Sequence, residues 1–204
     1  MSAARIGGEQ AADRGTRERI VDAAVDLFAT QGYDATSVAQ VIERTHLTKG
    51  GFYHHFASKD ALLYEVYGDL ITGQLARMDE ILARRLPPAD TLRLLVNDLI
   101  VSTAASAQRA LVFWRELHRL GDTHTAEYRA ARRRYHDAMR RLVAKGQATG
   151  AFSKVASADT VTFTIFGVVN ELPLWYRPSG RKKPEQIATE LADFVLAGLG
   201  GSER

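Results

Sequence analysis

Apolar residues recur along nearly the whole chain at spacings of three and four, the period of an amphipathic helix, and no stretch alternates strictly enough to predict a strand. A first helix is expected from about Thr16 to Gln31, with Ile20, Ala24, Leu27 and Phe28 on one face and Gly32 at its C-terminal end. Glu18, Asp22 and Asp26 form an acidic stripe on another face of it. Ser37 followed by Gln40 matches a capping box and opens a short second helix through Thr45. After a turn at His46 and Leu47, a third short helix covers about Thr48 to His54. Ser58 caps a fourth, carried to about Arg85 by Leu63, Val66, Leu70, Ile71, Met78, Ile81 and Leu82.

Pro87-Pro88 ends that helix. Leu92, Leu95, Val96, Leu99 and Thr103 mark a fifth helix, Leu111, Trp114, Leu117 and His118 a sixth broken by Gly121, and Tyr128 to Leu142 the apolar face of a seventh. The eighth, about Ala158 to Tyr176, is apolar nearly all round, so it belongs at the centre of the fold or at an interface. Pro184 suits the first turn of a ninth, which carries Ile187, Leu191, Phe194 and Val195. The expected fold is all-α with about nine helices. Its domains are a flexible arm over residues 1–14, a helix-turn-helix domain over 15–60, and a larger helical domain over 61–204.

Composition narrows the classes of function. The 204 residues contain no cysteine, which excludes disulfides, thiolate zinc sites and a cysteine nucleophile. The six histidines are not clustered with carboxylates as a metal cage would require, so neither a metal nor another cofactor is expected. No apolar run approaches the roughly 20 residues that span a bilayer, and the first residues lack a signal-peptide core, so a cytoplasmic protein with no membrane partner is expected. The formal charge of +3 invites a nucleic-acid reading, yet residues 1–60 hold seven Lys/Arg against eight Asp/Glu. Bulk charge therefore decides nothing, and the arrangement of individual residues must.

Two short helices joined by a tight turn and packed on a longer one are the arrangement whose second helix enters the major groove of DNA. Here the relevant stretches are Gly32-Tyr33 at the first turn, Thr36-Ser37 at the start of helix two, "TKGGFYHHF" from Thr48 to Phe56, and "SKDAL" from Ser58 to Leu62. Over about Thr16 to Leu63 the chain closely resembles the TetR family of regulators, and its length and helix count also suit that family. Thr48 and Lys49 are placed to reach base edges, lysine being suited to guanine O6 and N7. Gly50 and Gly51 remove side-chain bulk, at a cost of about 1 kcal/mol each in helix propensity. The resemblance implies phosphate contacts for Tyr53, His54 and Lys59. Thr36 or Ser37, with the N-terminus of helix two, is a further phosphate candidate. Phe52 and Phe56 are expected to be core. The implied partner is a double-stranded DNA operator.

The same resemblance implies that the remainder binds a small effector and forms a homodimer through helices eight and nine. Large or polar residues on apolar helical faces, Trp114, His118, Tyr135, Phe163, Phe166, Asn170 and Trp175, are the candidate effector contacts, although the aromatics would serve equally as plain core. Asn170 in particular needs a polar partner, from a ligand or from another subunit. Pro173 should kink helix eight. Trp175 to Gly180 followed by "ELADFVLAGL" from Glu190 to Leu199 is similar to the ends of TetR members that respond to acyl-CoA thioesters. Arg132, Arg133, Arg134, Arg140, Arg141, Arg177 and Arg181 supply cations for such a ligand or simply form a solvated basic face. A neutral hydrophobic or aromatic effector is the alternative. No spaced set of acid, base and nucleophile argues for an enzyme, so no catalytic residue is expected; a thioester-acting enzyme and a helical interaction adaptor are the competing classes.

Overall fold

The computed structural model describes residues 3–119 and 121–200. Among them are nine α-helices and no strand: α1 (Ala3–Gln31), α2 (Val38–Thr45), α3 (Lys49–His55), α4 (Lys59–Ala83), α5 (Pro88–Ala105), α6 (Ala107–Glu116), α7 (Asp122–Ala148), α8 (Ala158–Trp175) and α9 (Pro184–Gly198), with one 3-10 turn at Leu117–Arg119 after α6. The punctuation read from the sequence is where the helices stop and start. Gly32 sits at φ +86 and receives the end of α1, its amide donating to the Phe28 carbonyl at 3.1 Å. Ser37 and Gln40 form the reciprocal capping box. Pro88 and Pro184 each occupy a first helical turn, where a missing amide hydrogen costs nothing.

One boundary differs from expectation. α1 begins at Ala3, so most of the segment expected to be an arm is helical. Gly7 and Gly8 disfavour a helix, but residues 3–14 have no proline and include four alanines and two arginines, which extend a helix already nucleated downstream.

The chain forms two compact units. The first comprises residues up to Gly68 together with Gln108–His124; the second comprises Asp69–Ala107 and everything from Thr125 onward. Thus the chain crosses between units three times, within α4, at the start of α6 and at the start of α7. In the first unit α1 packs on α2, and α2 on α3, around Ile20, Ala24, Phe28, Val41, Phe52 and Leu62. Each of these is 2% exposed or less. α6 belongs to this unit, with Val112 and Phe113 buried.

In the second unit α5 packs on α8 and α9. Its core takes Leu92, Leu95 and Leu99 from α5, Tyr135 and Met139 from α7, Ile165 and Leu172 from α8, and Ala188 and Leu196 from α9. α8 is buried along one face, and Pro173 inside it leaves the Val169 carbonyl without its helical donor. At the end of α7 the ring of Phe152, 2% exposed, lies directly against Gly146. A Cβ at that position would fall 2.2 Å from the ring, far inside contact distance. The Phe152 amide also donates to the Gly146 carbonyl at 3.0 Å. Gly146→Ala is therefore expected to lower unfolding free energy by about 1–3 kcal/mol, because Phe152 must leave its site; urea denaturation of the purified chain measures it.

Candidate nucleic-acid interface

A seven-residue helix is too short to persist alone, so α3 depends on what holds it. Three contacts do so. At its start the Thr48 hydroxyl accepts the Gly51 amide at 3.0 Å, an N-cap that fixes the first turn. On its inner face Phe52 is fully buried and Phe56, which follows the helix, is 3% exposed. Before it, His46 takes a left-handed conformation at φ 55, and its amide and that of Leu47 satisfy the last carbonyls of α2. The turn between the two short helices thus uses a non-glycine residue in a region that L-residues visit sparingly.

This leaves an outer edge made of Thr48, Lys49 and Gly50, all exposed, followed by Tyr53 at 46% and His54 with its side chain 74% exposed. A Cβ at Gly50 would meet nothing closer than 4.0 Å, so the folded chain itself places no demand for glycine there. Gly51 differs: a Cβ would press on the Thr48 hydroxyl at 3.3 Å and crowd the cap. His54 and His55 share Asp13 of α1, at 3.7 and 3.6 Å from their Nε2 atoms. His55 is 7% exposed at the side chain, whereas His54 stays available at the surface.

Two residues expected to meet phosphate are already engaged. Thr36 is 1% exposed; its hydroxyl donates to the Gly32 carbonyl at 2.8 Å and accepts from Gln31 at 3.1 Å. Ser37 remains exposed at the N-terminus of α2, its oxygen accepting the Gln40 amide. Lys59 is half-buried. Its ammonium donates to the carbonyls of Tyr33 at 2.9 Å and Thr36 at 2.8 Å, and it lies 4.1 Å from the Tyr33 ring centroid. Tyr33 in turn donates its hydroxyl to Asp60, and burial, then this carboxylate, pushes the phenol well above its ordinary pKa. The start of α4 is therefore stapled to the turn between α1 and α2. A lysine next to a helix N-cap gave no sequence signal of that structural role.

Two of the three acids of the α1 stripe, Asp22 and Asp26, are paired. Asp22 receives Arg109 of α6, and Asp26 receives Arg44 of α2 at 2.9 Å with Gln108 at 3.4 Å. Arg119, just past α6, bridges Asp34 at 2.5 Å and Glu116 at 2.7 Å.

The seven candidate effector contacts are divided between the two units. Trp114 and His118 are exposed in the first unit. In the second, Tyr135 and Phe166 are buried with ring centroids 5.8 Å apart, edge to face. Phe163 and Trp175 are 64% and 48% exposed on the outer face of α8. Asn170 has an intramolecular partner: Arg132 donates to its oxygen at 2.9 Å and to the Tyr128 hydroxyl at 2.9 Å. Among the described residues the Tyr135 hydroxyl and His136 Nε2 are buried without a hydrogen bond. Burial, then the Asp98 charge, raises the Tyr135 pKa, so the phenol stays a neutral donor. His136, packed at 4.8 Å from Phe163 and 5.5 Å from Phe166, was not singled out from sequence, nor was buried Gln74, which donates to Ser102 and Thr103. His136 is one polar residue among many on α7, and Gln74 one polar residue among the apolar positions of α4, so neither stands out in the pattern.

Residues 20–66 match the family described as bacterial regulatory proteins, tetR family, and residues 85–199 match the tetracyclin repressor-like C-terminal domain. Among curated relatives, an HTH-type transcriptional repressor named KstR2 from Mycolicibacterium smegmatis is 25% identical over 188 residues, covering 92% of each chain. Among solved structures, the TetR family regulator PfmR from Thermus thermophilus superposes with a TM-score of 0.80 at 26% identity, covering 91% of this chain and all of that one. AibR in complex with isovaleryl coenzyme A and operator DNA superposes at 0.72 with 23% identity, over 88% and 97% of the two chains, which is likeness of fold. With both of its halves matched, one by a domain that alone spans more than half of its length, the chain belongs to the TetR family of bacterial regulatory proteins.

Proposed function

We propose that this chain is a cytoplasmic, homodimeric transcriptional repressor that reads a palindromic DNA operator with the outer edge of α3 and releases it when a small effector binds. The observation that carries the reading is the edge itself: a capped, buttressed helix of seven residues exposing Thr48, Lys49, Gly50, Tyr53 and His54. Lys49 reads base edges, and Gly50 lets the backbone come close to the groove. Tyr53, His54 and the N-terminus of α2 at Ser37 hold phosphates. The repressor named KstR2 supports the sense of regulation.

Dimerisation through α8 and α9 is supported by the apolar face that these helices leave in one chain. Phe163 and Phe194 are 64% and 72% exposed, and Leu174 56%. An adjoining groove of about 340 Å³ is floored by Val161, Val195 and Leu199. Such exposure on a single chain marks an association surface, and a two-fold axis there would present two recognition helices to one side of the duplex.

For the effector, an acyl-CoA thioester is the reading supported by the isovaleryl-CoA complex of AibR. Binding in the second unit can reach α3 along the chain crossings, and α6 is tied to α1 by Arg109 and Gln108, with Arg119 just past it tied to Asp34 in the turn after α1. A shift of α6 would therefore carry the helix-turn-helix with it. A useful switch needs a difference in effector affinity between the two states of about 1–3 kcal/mol.

Three substitutions separate the roles of the outer edge, and a fourth tests its support. Lys49→Ala is expected to weaken operator binding at least tenfold and to relax base preference, whereas Tyr53→Phe weakens binding about equally on operator and random duplex. Fluorescence anisotropy on both DNAs distinguishes these, and equal losses for Lys49→Ala on both would remove its base-reading role. Gly50→Ala should stabilise the free chain by up to about 1 kcal/mol through helix propensity while weakening operator binding. Lys59→Ala should cost about 1–3 kcal/mol of stability, since two backbone carbonyls lose a charged donor; chemical denaturation reads both effects.

A further inference from the structure

The second unit holds a groove of about 390 Å³ that none of the seven expected effector contacts lines. Its walls are apolar, with Leu82 and Leu86 from the end of α4 and its exit, and Ala138 and Leu142 from α7. Its rim is cationic: Arg85, Arg141 and Lys145 all line it and all are exposed. Among the described residues none of the three makes an ion pair or a side-chain hydrogen bond. Elsewhere on α7, Arg132 is held by Asn170, Arg134 by Asp79, and Arg140 by Asp137 and Asp159, while Arg129 and Arg133 also lack an ion pair among the described residues but do not line this groove.

Two features of this rim are unfavourable for the isolated chain. Arg141 and Lys145 stand at i and i+4 on one helix face, where like charges repel. Arg85 holds a left-handed backbone at φ 53, a conformation seldom taken by a residue with a long side chain, and it is this turn that brings the guanidinium to the groove. Helix ends account for only part of the charge. The C-termini of α4 and α7 contribute about −0.5 each and the N-terminus of α5 about +0.5, against three full cations. An apolar trough ringed by uncompensated positive charge calls for one kind of occupant.

We propose that this groove binds an anionic amphiphile, a single acyl or alkyl chain ending in a phosphate or carboxylate. The chain lies on Leu82, Leu86, Ala138 and Leu142, and the head group is held by Arg85, Arg141 and Lys145. Arginine gives the head group a two-pronged contact and lysine a point charge, so either anion is accommodated. The assignment stands on the groove alone and does not depend on which effector governs release of DNA.

The test is isothermal titration of the full-length protein with decyl phosphate, decanoate, decanol and inorganic phosphate, each below its aggregation concentration. Saturable binding of one decyl phosphate per chain is expected, weakening with added salt. Decanol and inorganic phosphate should each bind at least tenfold more weakly, because each supplies only half of what the groove recognises. Decanoate binding as well extends the head group to carboxylates; its failure restricts the site to phosphates, and both results fit the proposal. The double variant Arg141→Gln/Lys145→Gln should lose at least tenfold in affinity while its thermal unfolding midpoint stays level or rises, since a like-charge pair has been removed. Decanol binding as tightly as decyl phosphate, inorganic phosphate binding equally well, or an unchanged affinity in a folded double variant would each overturn it.

Discussion

The first unit depends on how the Lys59 ammonium is shared between the carbonyls of Tyr33 and Thr36. These carbonyls lie in the turn between α1 and α2, and a buried carbonyl left without a donor is costly. One flexible side chain from the start of α4 donates to both, the Tyr33 carbonyl also accepting the Thr36 amide at 3.1 Å, and rests on the Tyr33 ring. Tyr33 completes the closure by donating to Asp60, the next residue of α4. The consequence falls on α3, which lies in sequence between the two joined elements. With the turn and α4 fixed to one another, and with Phe52 and Phe56 in the core, a helix too short to form alone acquires one position.

Rigidity on the inner face is what permits irregularity on the outer one. Two adjacent glycines in a seven-residue helix contradict helix propensity, and nothing in the fold requires the first of them. A position that weakens local structure without a packing reason belongs to a surface shaped for something outside the chain. The cap at Thr48 and the buried phenylalanines offset that loss, so the exposed edge can be poor in side chains and still ordered.

Much of this is legible in the sequence because it is written in local signals. Ser37 with Gln40, Gly32 and the proline-started helices are punctuation with a mechanism, and each ends or begins a helix as its chemistry demands. The order of motifs from Gly32 to Leu62 carries the family resemblance by itself. What is not legible depends on partners distant in sequence. Lys59 reads as an exposed cation, and Thr36 as an exposed hydroxyl, because the carbonyls that engage them belong to a turn whose path is fixed only in three dimensions. Asn170 announces the need for a partner but not that Arg132, 38 positions away, supplies it. The candidate effector residues share only their type and an apolar face, a criterion that cannot separate core (Tyr135, Phe166) from outer surface (Phe163, Trp175). The early start of α1 is hidden by a glycine pair whose cost the neighbouring helix absorbs.

The central claim is that the outer edge of α3, presented twice by a symmetric dimer, recognises a DNA sequence. Selection of a random-sequence duplex pool on the full chain tests this most directly. The expected result is enrichment of an inverted repeat whose half-site centres lie about 34–36 Å apart, one turn of the duplex or a small multiple of it, bound with a steep dependence on salt. A folded protein that enriches no sequence over the starting pool would contradict the account.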